Sequence, residues 1–418
     1  MPETKPKILV LSAAVGAGHT IVARALVRAC EMAHPEVDVA WLDSLDLSAH
    51  VWKWFCDKVI NTTIAGKMPH LYSYIYDSLD REEKMVKHDT IGTPIVRFLS
   101  RKFLKRVAAE KPDIIICTHF QPGDVISVLR RRGKINCPVG VIVTDYYMNS
   151  MWEVRDADFY IVSSDEMKAI LAEKGYAPEM IHVIGIPVRP EFCAPFDRQA
   201  ILKKLDCVDG VPIVLTVSSG WHKAGPEVTV NALIETGIKM QILAVAGKNK
   251  ASEAALRALQ PPEGVSLKVF GFVDYIHEMM HVADVMVAKP GGVTVVEALA
   301  TGLPFIAINP VPGQEMGNCH YLQQEGAGVL VKRLGCLKYH LHEILEDKEK
   351  RDRMRAAAAA AGRPRAAFEV IDLLLDKIRK KGYHGNVTLH LTFTINRRHL
   401  LSGICYGEEA FTKSATGL

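Results

Sequence analysis

The sequence predicts an α/β protein made of two doubly wound domains that face each other across a cleft. Three observations lead to that class. Short apolar runs rich in β-branched residues alternate with helix-like segments, as expected of parallel strands buried on both faces. The alternation runs once, pauses at a stretch punctuated by Pro187, Pro190 and Pro195, and then restarts. A chain of 418 residues is also long enough for two separate cores, which makes one large sheet the weaker expectation. The expected organisation is a first Rossmann-like domain over 1–190 and a second over 191–365. A helix over 366–384 can cross back to the first domain, and the role of the tail 385–418 stays open.

In the first array Lys7–Ser12 reads as a strand. Thr20–Ala33 reads as a helix, because Ile21, Ala25, Leu26 and Ala29 recur at helical spacing. Val37–Leu42, Asp113–Thr118, Val139–Thr144, Phe159–Ser163 and Met180–Ile184 read as the further strands. The second array offers Ile213–Val217, Gln241–Ala246, Ser266–Phe270, Val285–Ala288 and Phe305–Ile308. Lys350–Gly382 is Ala-rich and charged, a helical stretch that Pro364 must kink or interrupt. Val387–Ile395 alternates like a strand without an evident partner edge, and an add-on strand, a disordered tail and an assembly element all remain open.

The balance of 49% hydrophobic and 23% charged residues is that of a globular protein. No apolar run approaches the roughly 18 residues of a membrane-spanning helix. The first strand begins almost at once, without a signal-peptide pattern, so a cytoplasmic chain is expected. The net charge of +4 is too small to imply nucleic acid, and none is expected as a partner. Nine scattered cysteines, with no CxxC pair, fit reduced thiols and are assigned to no metal.

The most informative stretch runs from Lys289 through Pro290, Gly291, Gly292, Val293 and Thr294 to Glu297. Its glycine turn lies between an apolar run ending at Ala288 and the helix-like Val293–Ala300. Backbone N–H groups are left free at such a helix N-terminus, where the partial positive charge favours a phosphate. Glu297, about one turn inside, is placed to accept hydrogen bonds from a ribose diol. The polar loop of Gln314, Glu315 and Asn318 follows the next apolar run and can reach a sugar. Phosphate, ribose and sugar recognition in one region suggests a nucleotide-sugar site. Other strand ends add to it: Ser218 and Gly220 as phosphate contacts, Lys248, Phe272 and Val273 beside base and ribose. Their recurrence at successive strand ends carries the signal. Arg189, at the domain junction, can offset diphosphate charge or simply form a surface ion pair.

Gly16, Gly18 and His19 directly follow the first strand. The loop is no Walker A motif, and Ile21 stands where a dinucleotide fingerprint needs its third glycine. At the C-terminal edge of a parallel sheet His19 faces the ligand crevice and can act as general base; a helix-capping or solvated histidine is the alternative. Asp145, ending another strand, can orient that base or the acceptor hydroxyl, or cap a turn. Tyr146, Tyr147 and Trp152 can shape an acceptor pocket or pack.

Val51–Leu79 interleaves Trp52, Trp54, Phe55, Tyr72, Tyr74 and Tyr76 with Lys53, Lys58 and Lys67. That mixture suits a membrane interface as well as amphipathic core helices. Arg97, Arg101, Lys102, Lys105 and Arg106 share one helix-like segment that can attract anionic lipid, and Arg130, Arg131, Arg132 and Lys134 form a second basic cluster. The expected localisation is therefore cytoplasmic, peripherally bound to the inner face of the cell membrane.

From about Lys7 to about Leu375 the chain resembles the monogalactosyldiacylglycerol synthases and processive diacylglycerol glucosyltransferases of glycosyltransferase family 28, relatives of the peptidoglycan N-acetylglucosaminyltransferase. The likeness rests on the ordered set Gly16–His19, Lys111–Ile116, Val143–Asp145, Gly185–Pro190, Ala246–Asn249, Lys289–Thr294 with Glu297, and Pro310–Glu315. It implies a GT-B fold and a hexosyltransferase that moves galactose or glucose from UDP-galactose or UDP-glucose to diacylglycerol with inversion. No divalent metal or other cofactor is expected. The resemblance places Glu297 on the ribose, Gly291–Thr294 on the diphosphate, Gln314 and Glu315 on sugar hydroxyls, and His19 as base. Relatives often carry histidine where this chain has Asn149, which cannot act as a base. Transfer to another lipid-linked acceptor, or a non-catalytic UDP-sugar sensor, are the competing expectations.

Overall fold

The computed structural model describes residues 5–14, 17–48, 100–154, 156–218, 225–311 and 313–383, and leaves the side chains of 314 and 381–383 undescribed. Gly16, Ser219, Gly220, the aromatic segment 51–79, Arg97, Pro312 and the tail 385–418 therefore lie outside the described residues. Two compact units divide the chain, Met1–Ile378 and Arg379–Leu418, and both sheets belong to the first.

The first sheet is parallel and six-stranded: β1 (Lys7–Ser12), β2 (Asp38–Asp43), β3 (Ile114–Cys117), β4 (Val139–Ile142), β5 (Phe159–Val162) and β6 (Ile181–Val183) in the order β2-β1-β3-β4-β5-β6. The central runs are apolar because both faces are covered; β3, β4 and β5 are buried at every residue. The edge strand β2 is half-exposed and begins with the exposed Asp38. The second sheet repeats the plan with β7 (Ile213–Val217), β8 (Met240–Val245), β9 (Val265–Phe270), β10 (Val285–Ala288), β11 (Phe305–Ile308) and β12 (Gly328–Val331) in the order β12-β11-β10-β7-β8-β9. Every strand expected in the two arrays is present within a residue or two, and the strand-like Val387–Ile395 lies outside the described residues. The edge strand β12 was not foreseen.

In each sheet the strand order reverses beside the first strand of the array, between β1 and β3 and between β7 and β10. Loops leaving the two strands diverge there and open a crevice at their carboxyl ends. Two helices begin at these points, Gly18–Ala33 after β1 and Gly292–Ala300 after β10. The cores also meet. Val22 of the first helix and Tyr146 after β4 belong to the same buried cluster as Leu215, Met286, Val295 and Leu299 of the second array.

The Ala-rich stretch is broken as Pro364 required, into helices Lys348–Ala361 and Ala366–Tyr383. The second of these buries Ala367, Val370, Ile371 and Leu374 against Ile8, Val10, Ile114, Ile116 and Phe159 of the first sheet. The chain thus returns to its starting domain after completing the second sheet. Among the described residues no helix is long and apolar enough to cross a membrane.

Candidate active site

His19 is the second residue of its helix, directly over the β1–β3 switch point. Its Nδ1 lies 3.0 Å from the Thr118 carbonyl oxygen and 2.9 Å from Thr144 Oγ1. A carbonyl can only accept, so Nδ1 carries the proton and Nε2 keeps its lone pair. Thr118 Oγ1 donates back to the His19 carbonyl at 3.0 Å, fixing the helix start to the end of β3. The ring is half-buried and closely walled. Desolvation pushes its pKa down to about 4, against the contrary pull of the Thr118 carbonyl. His19 is therefore neutral near pH 7. Its orientation comes from the Thr118 backbone carbonyl and Thr144 Oγ1.

An aromatic box surrounds this imidazole. The His119 ring meets it edge-on with centroids 4.4 Å apart, and Trp152 stands 6.0 Å away. Phe120 stacks on His119 at 4.2 Å and meets Trp152 at 5.7 Å. His119 accepts from the Gln121 N–H at 3.1 Å, and burial, helped by His19, keeps it well below the ordinary imidazole pKa. Trp152 is almost fully buried, a wall of the crevice more than an exposed platform. Asn149 serves that wall: its Oδ1 accepts from the Met151 N–H at 2.9 Å and caps the short turn Ser150–Trp152. His119 and Phe120 did not stand out in the sequence, although the tripeptide Thr118-His119-Phe120 directly after a buried strand was an available signal.

Across the crevice the helix Gly292–Ala300 starts without a side-chain cap, with Gly291 extended at φ −66° and ψ 144°. Its first N–H groups and its dipole face the first domain. The approach is close. A Cβ on Gly292 would lie 2.4 Å from the Thr144 carbonyl oxygen and 3.0 Å from Asp145 Oδ1. Val293 Cγ2 would meet a Cβ on Gly18 at 3.3 Å. Thr294 Oγ1 lies beside the turn, 3.8 Å from the position of a Gly291 Cβ. The glycine turn, His19 and the buried Asp145 therefore occupy one crevice.

Glu297 sits deeper in the same helix, almost fully buried, 4.0 Å from Arg189 Nε. Burial pushes its pKa up to about 7, with Arg189 pulling the other way. Arg189 is held in place by donating to the Asp274 carbonyl at 2.8 Å and by lying over the Phe192 ring at 5.3 Å. Partly buried Lys289 and buried Glu315 form an ion pair at the glycine turn, and Glu315 Oε2 also accepts from the Val311 N–H at 2.7 Å. Lys289, which the sequence marks only as part of the motif, brings a cation to the glycine turn. Asn318 is fully buried, with its amide spent inside the protein: Oδ1 accepts from the Tyr146 N–H at 2.9 Å and Nδ2 donates to the Pro290 carbonyl at 3.0 Å. The amide thereby links the two domains. Gln314 opens its helix, Gln314–Gln324, immediately beside Glu315.

The remaining strand-end residues follow β7, β8 and β9, from the second switch point out to the sheet edge. Ser218 follows β7 and is tied to β8 through its N–H to the Val245 carbonyl at 2.8 Å. Lys248 is exposed, and its ammonium lies 5.1 Å over the ring of Phe272, itself 64% exposed. Such an uncovered ring, flanked by Val273 packed on the core, offers a stacking surface for a planar base. Among the described residues no three of His, Cys, Asp and Glu gather as metal ligands do.

Two switch-point crevices turned toward each other, with a histidine on one side and an uncapped helix on the other, are the architecture of the GT-B fold. Solved structures agree on the fold. Acinetobacter baumannii MurG is 16% identical at a TM-score of 0.57, covering 89% of this chain and 99% of that one. Anabaena HepE in complex with UDP and glucose is 16% identical at 0.52, covering 89% and 99%. The monogalactosyldiacylglycerol (MGDG) synthase family model matches residues 19–188, and that of group 1 glycosyl transferases matches 197–361. A processive diacylglycerol beta-glucosyltransferase of Bacillus cytotoxicus is 30% identical over 91% of this chain and 96% of its own length. That of Bacillus pumilus is 31% identical over 84% and 90%. The chain belongs to this family of diacylglycerol glycosyltransferases and MGDG synthases.

Proposed function

We propose that the protein transfers a hexose from UDP-glucose or UDP-galactose to diacylglycerol, with inversion at the anomeric carbon and without a metal ion. The observation that supports this reading is the approach of Gly292 to Thr144, the residue that contacts His19. In the reaction the glycerol hydroxyl attacks the anomeric carbon, its proton passes to His19 Nε2, and the bond to UDP breaks with its electron pair leaving on the diphosphate. Bound diphosphate brings negative charge near His19, raising its basicity above that of the donor-free protein. The amides of Gly292, Val293 and Thr294, with Gly291 as the turn, meet the leaving-group charge, assisted by Lys289 and Arg189. Glu297 takes the ribose diol, Gln314 and Glu315 the sugar, Ser218 a phosphate oxygen, and Lys248, Phe272 and Val273 the base. Asp145 and Trp152 border the acceptor. The exposed row Arg101, Lys102, Lys105 and Arg106, opposite the buried Phe103, Leu104 and Val107, supports docking on anionic lipid at the inner face of the cell membrane.

The test is transfer from each UDP-sugar to diacylglycerol in anionic vesicles, read by mass spectrometry of the lipids and repeated with excess chelator. One glycosyldiacylglycerol product, undiminished by chelator, is expected. Loss of product with chelator would restore a metal to the mechanism, and tight UDP-sugar binding with no UDP released would make the protein a sensor. His19→Ala is expected to lower turnover by about 100-fold or more while UDP affinity stays within a few-fold. Wild-type turnover in that variant would remove His19 from the proton transfer.

A further inference from the structure

The contacts around Asn318 go beyond substrate binding. Its carboxamide is fully buried, and acceptor and donor ends are satisfied by backbone from opposite sides of the crevice: the Tyr146 N–H of the loop after β4 and the Pro290 carbonyl of the glycine turn. Neighbours on the same helix extend the joint. A Cβ on Gly317 would fall 2.4 Å from Tyr147 Cβ, so the helix backbone touches that loop directly. One turn further on, the Tyr321 ring stacks on Tyr146, centroids 4.1 Å apart and planes 18° from parallel. On the other side of Tyr146, Thr144 bonds His19 and its carbonyl abuts Gly292. A continuous path of short contacts thus runs from the base through Thr144 and Tyr146 to Asn318, Pro290 and the phosphate turn.

We propose that Asn318 is a positioning residue that sets the register between the proton-accepting histidine and the donor turn, and that it touches neither substrate. The proposal rests on the reading of His19 as base and of the glycine turn as donor site. Register matters because a displacement of about 1 Å at a reacting centre costs on the order of 100-fold in rate. A donor ligand removed by mutation weakens donor binding; a lost register leaves binding and reduces productive turnover. Released from that register, the bound donor also becomes more open to attack by water in place of the glycerol hydroxyl.

Asn318→Ala, and Gly317→Ala as an independent lesion of the same joint, test this in the full-length protein. Expected for both are UDP affinity by calorimetry within about threefold of wild type, a fall in kcat for transfer of about 100-fold, and a larger share of UDP released as free-sugar hydrolysis. Because the two lesions open one joint, the double variant should be little worse than either alone. Hydrogen exchange at the Tyr146 amide should accelerate in Asn318→Ala, a readout that does not depend on activity. A tenfold or greater loss of UDP affinity at unchanged kcat would make Asn318 a donor ligand and overturn the proposal. So would unchanged kcat and unchanged exchange in both variants. If wild-type protein transfers no sugar while the Tyr146 amide still responds, the reading of function fails and the joint itself stands.

Discussion

Glu297 and Arg189 show how burial turns an ordinary carboxylate into a pH-sensitive contact. Desolvation holds the donor-free Glu297 at about 7, so falling pH protonates it in a range where free glutamate would stay ionised. The protonated form is the poorer acceptor for two ribose hydroxyls. KM for the UDP-sugar should therefore rise as pH is lowered through about 7, and Glu297→Gln should show a raised KM that no longer varies there. In the donor-free protein His19, held at about 4, stays neutral across that window. A flat wild-type profile measured between about pH 6 and 8 would mean that the carboxylate is already ionised. The glycine turn, Glu297 and His19 were legible because each belongs to a local motif at a strand end. Lys289, Thr118 and the contacts of Asn318 across the domains were not, because they consist of partners tens or hundreds of positions away.

The helix Gly292–Ala300 carries its site by lacking a side chain where the domains approach. Gly291 and Gly292 read alike in sequence, and the structure separates them. At Gly291 a Cβ meets only ordinary contacts near 3.8 Å, from Thr294 Oγ1 and Glu315 Oε1, while at Gly292 it collides with the Thr144 backbone. Gly291→Ala should therefore retain transfer within about tenfold, and Gly292→Ala should lose about 100-fold or more with a lower thermal midpoint. Comparable kinetics in the two purified variants would show that Thr144 gives way. Strands were legible in the interior of both sheets because burial on two faces demands continuous apolar runs. β12 was missed for the converse reason: Gly328–Val331 is short and half-exposed, and pairing with β11 imposes its extended backbone.

Over the whole molecule, the helix Ala366–Tyr383 ties the end of the second array to the core of the first. A return to the first domain was among the sequence expectations; the seat itself was set by Ala367, Val370, Ile371 and Leu374 filling the first sheet's surface. Ile371→Ala should cost about 2–5 kcal/mol through lost transfer energy and the cavity left behind. Denaturant unfolding reads this as a lower midpoint, and an unchanged midpoint would show that the helix contributes little to the first core.

What the sequence determined by itself was the class of protein: two αβ arrays, parallel sheets, and glycine-rich strand ends with an acidic residue one turn into a helix. Those features are local, since periodicity, turn chemistry and helix termini are written within about ten residues of each other. Tertiary structure alone decided that Thr118 and Thr144 hold His19, that His119 and Trp152 wall it in, and that Asn318 joins the two halves. A polar side chain takes whichever partner its burial leaves within reach, and that choice exists only once both sheets have formed and met.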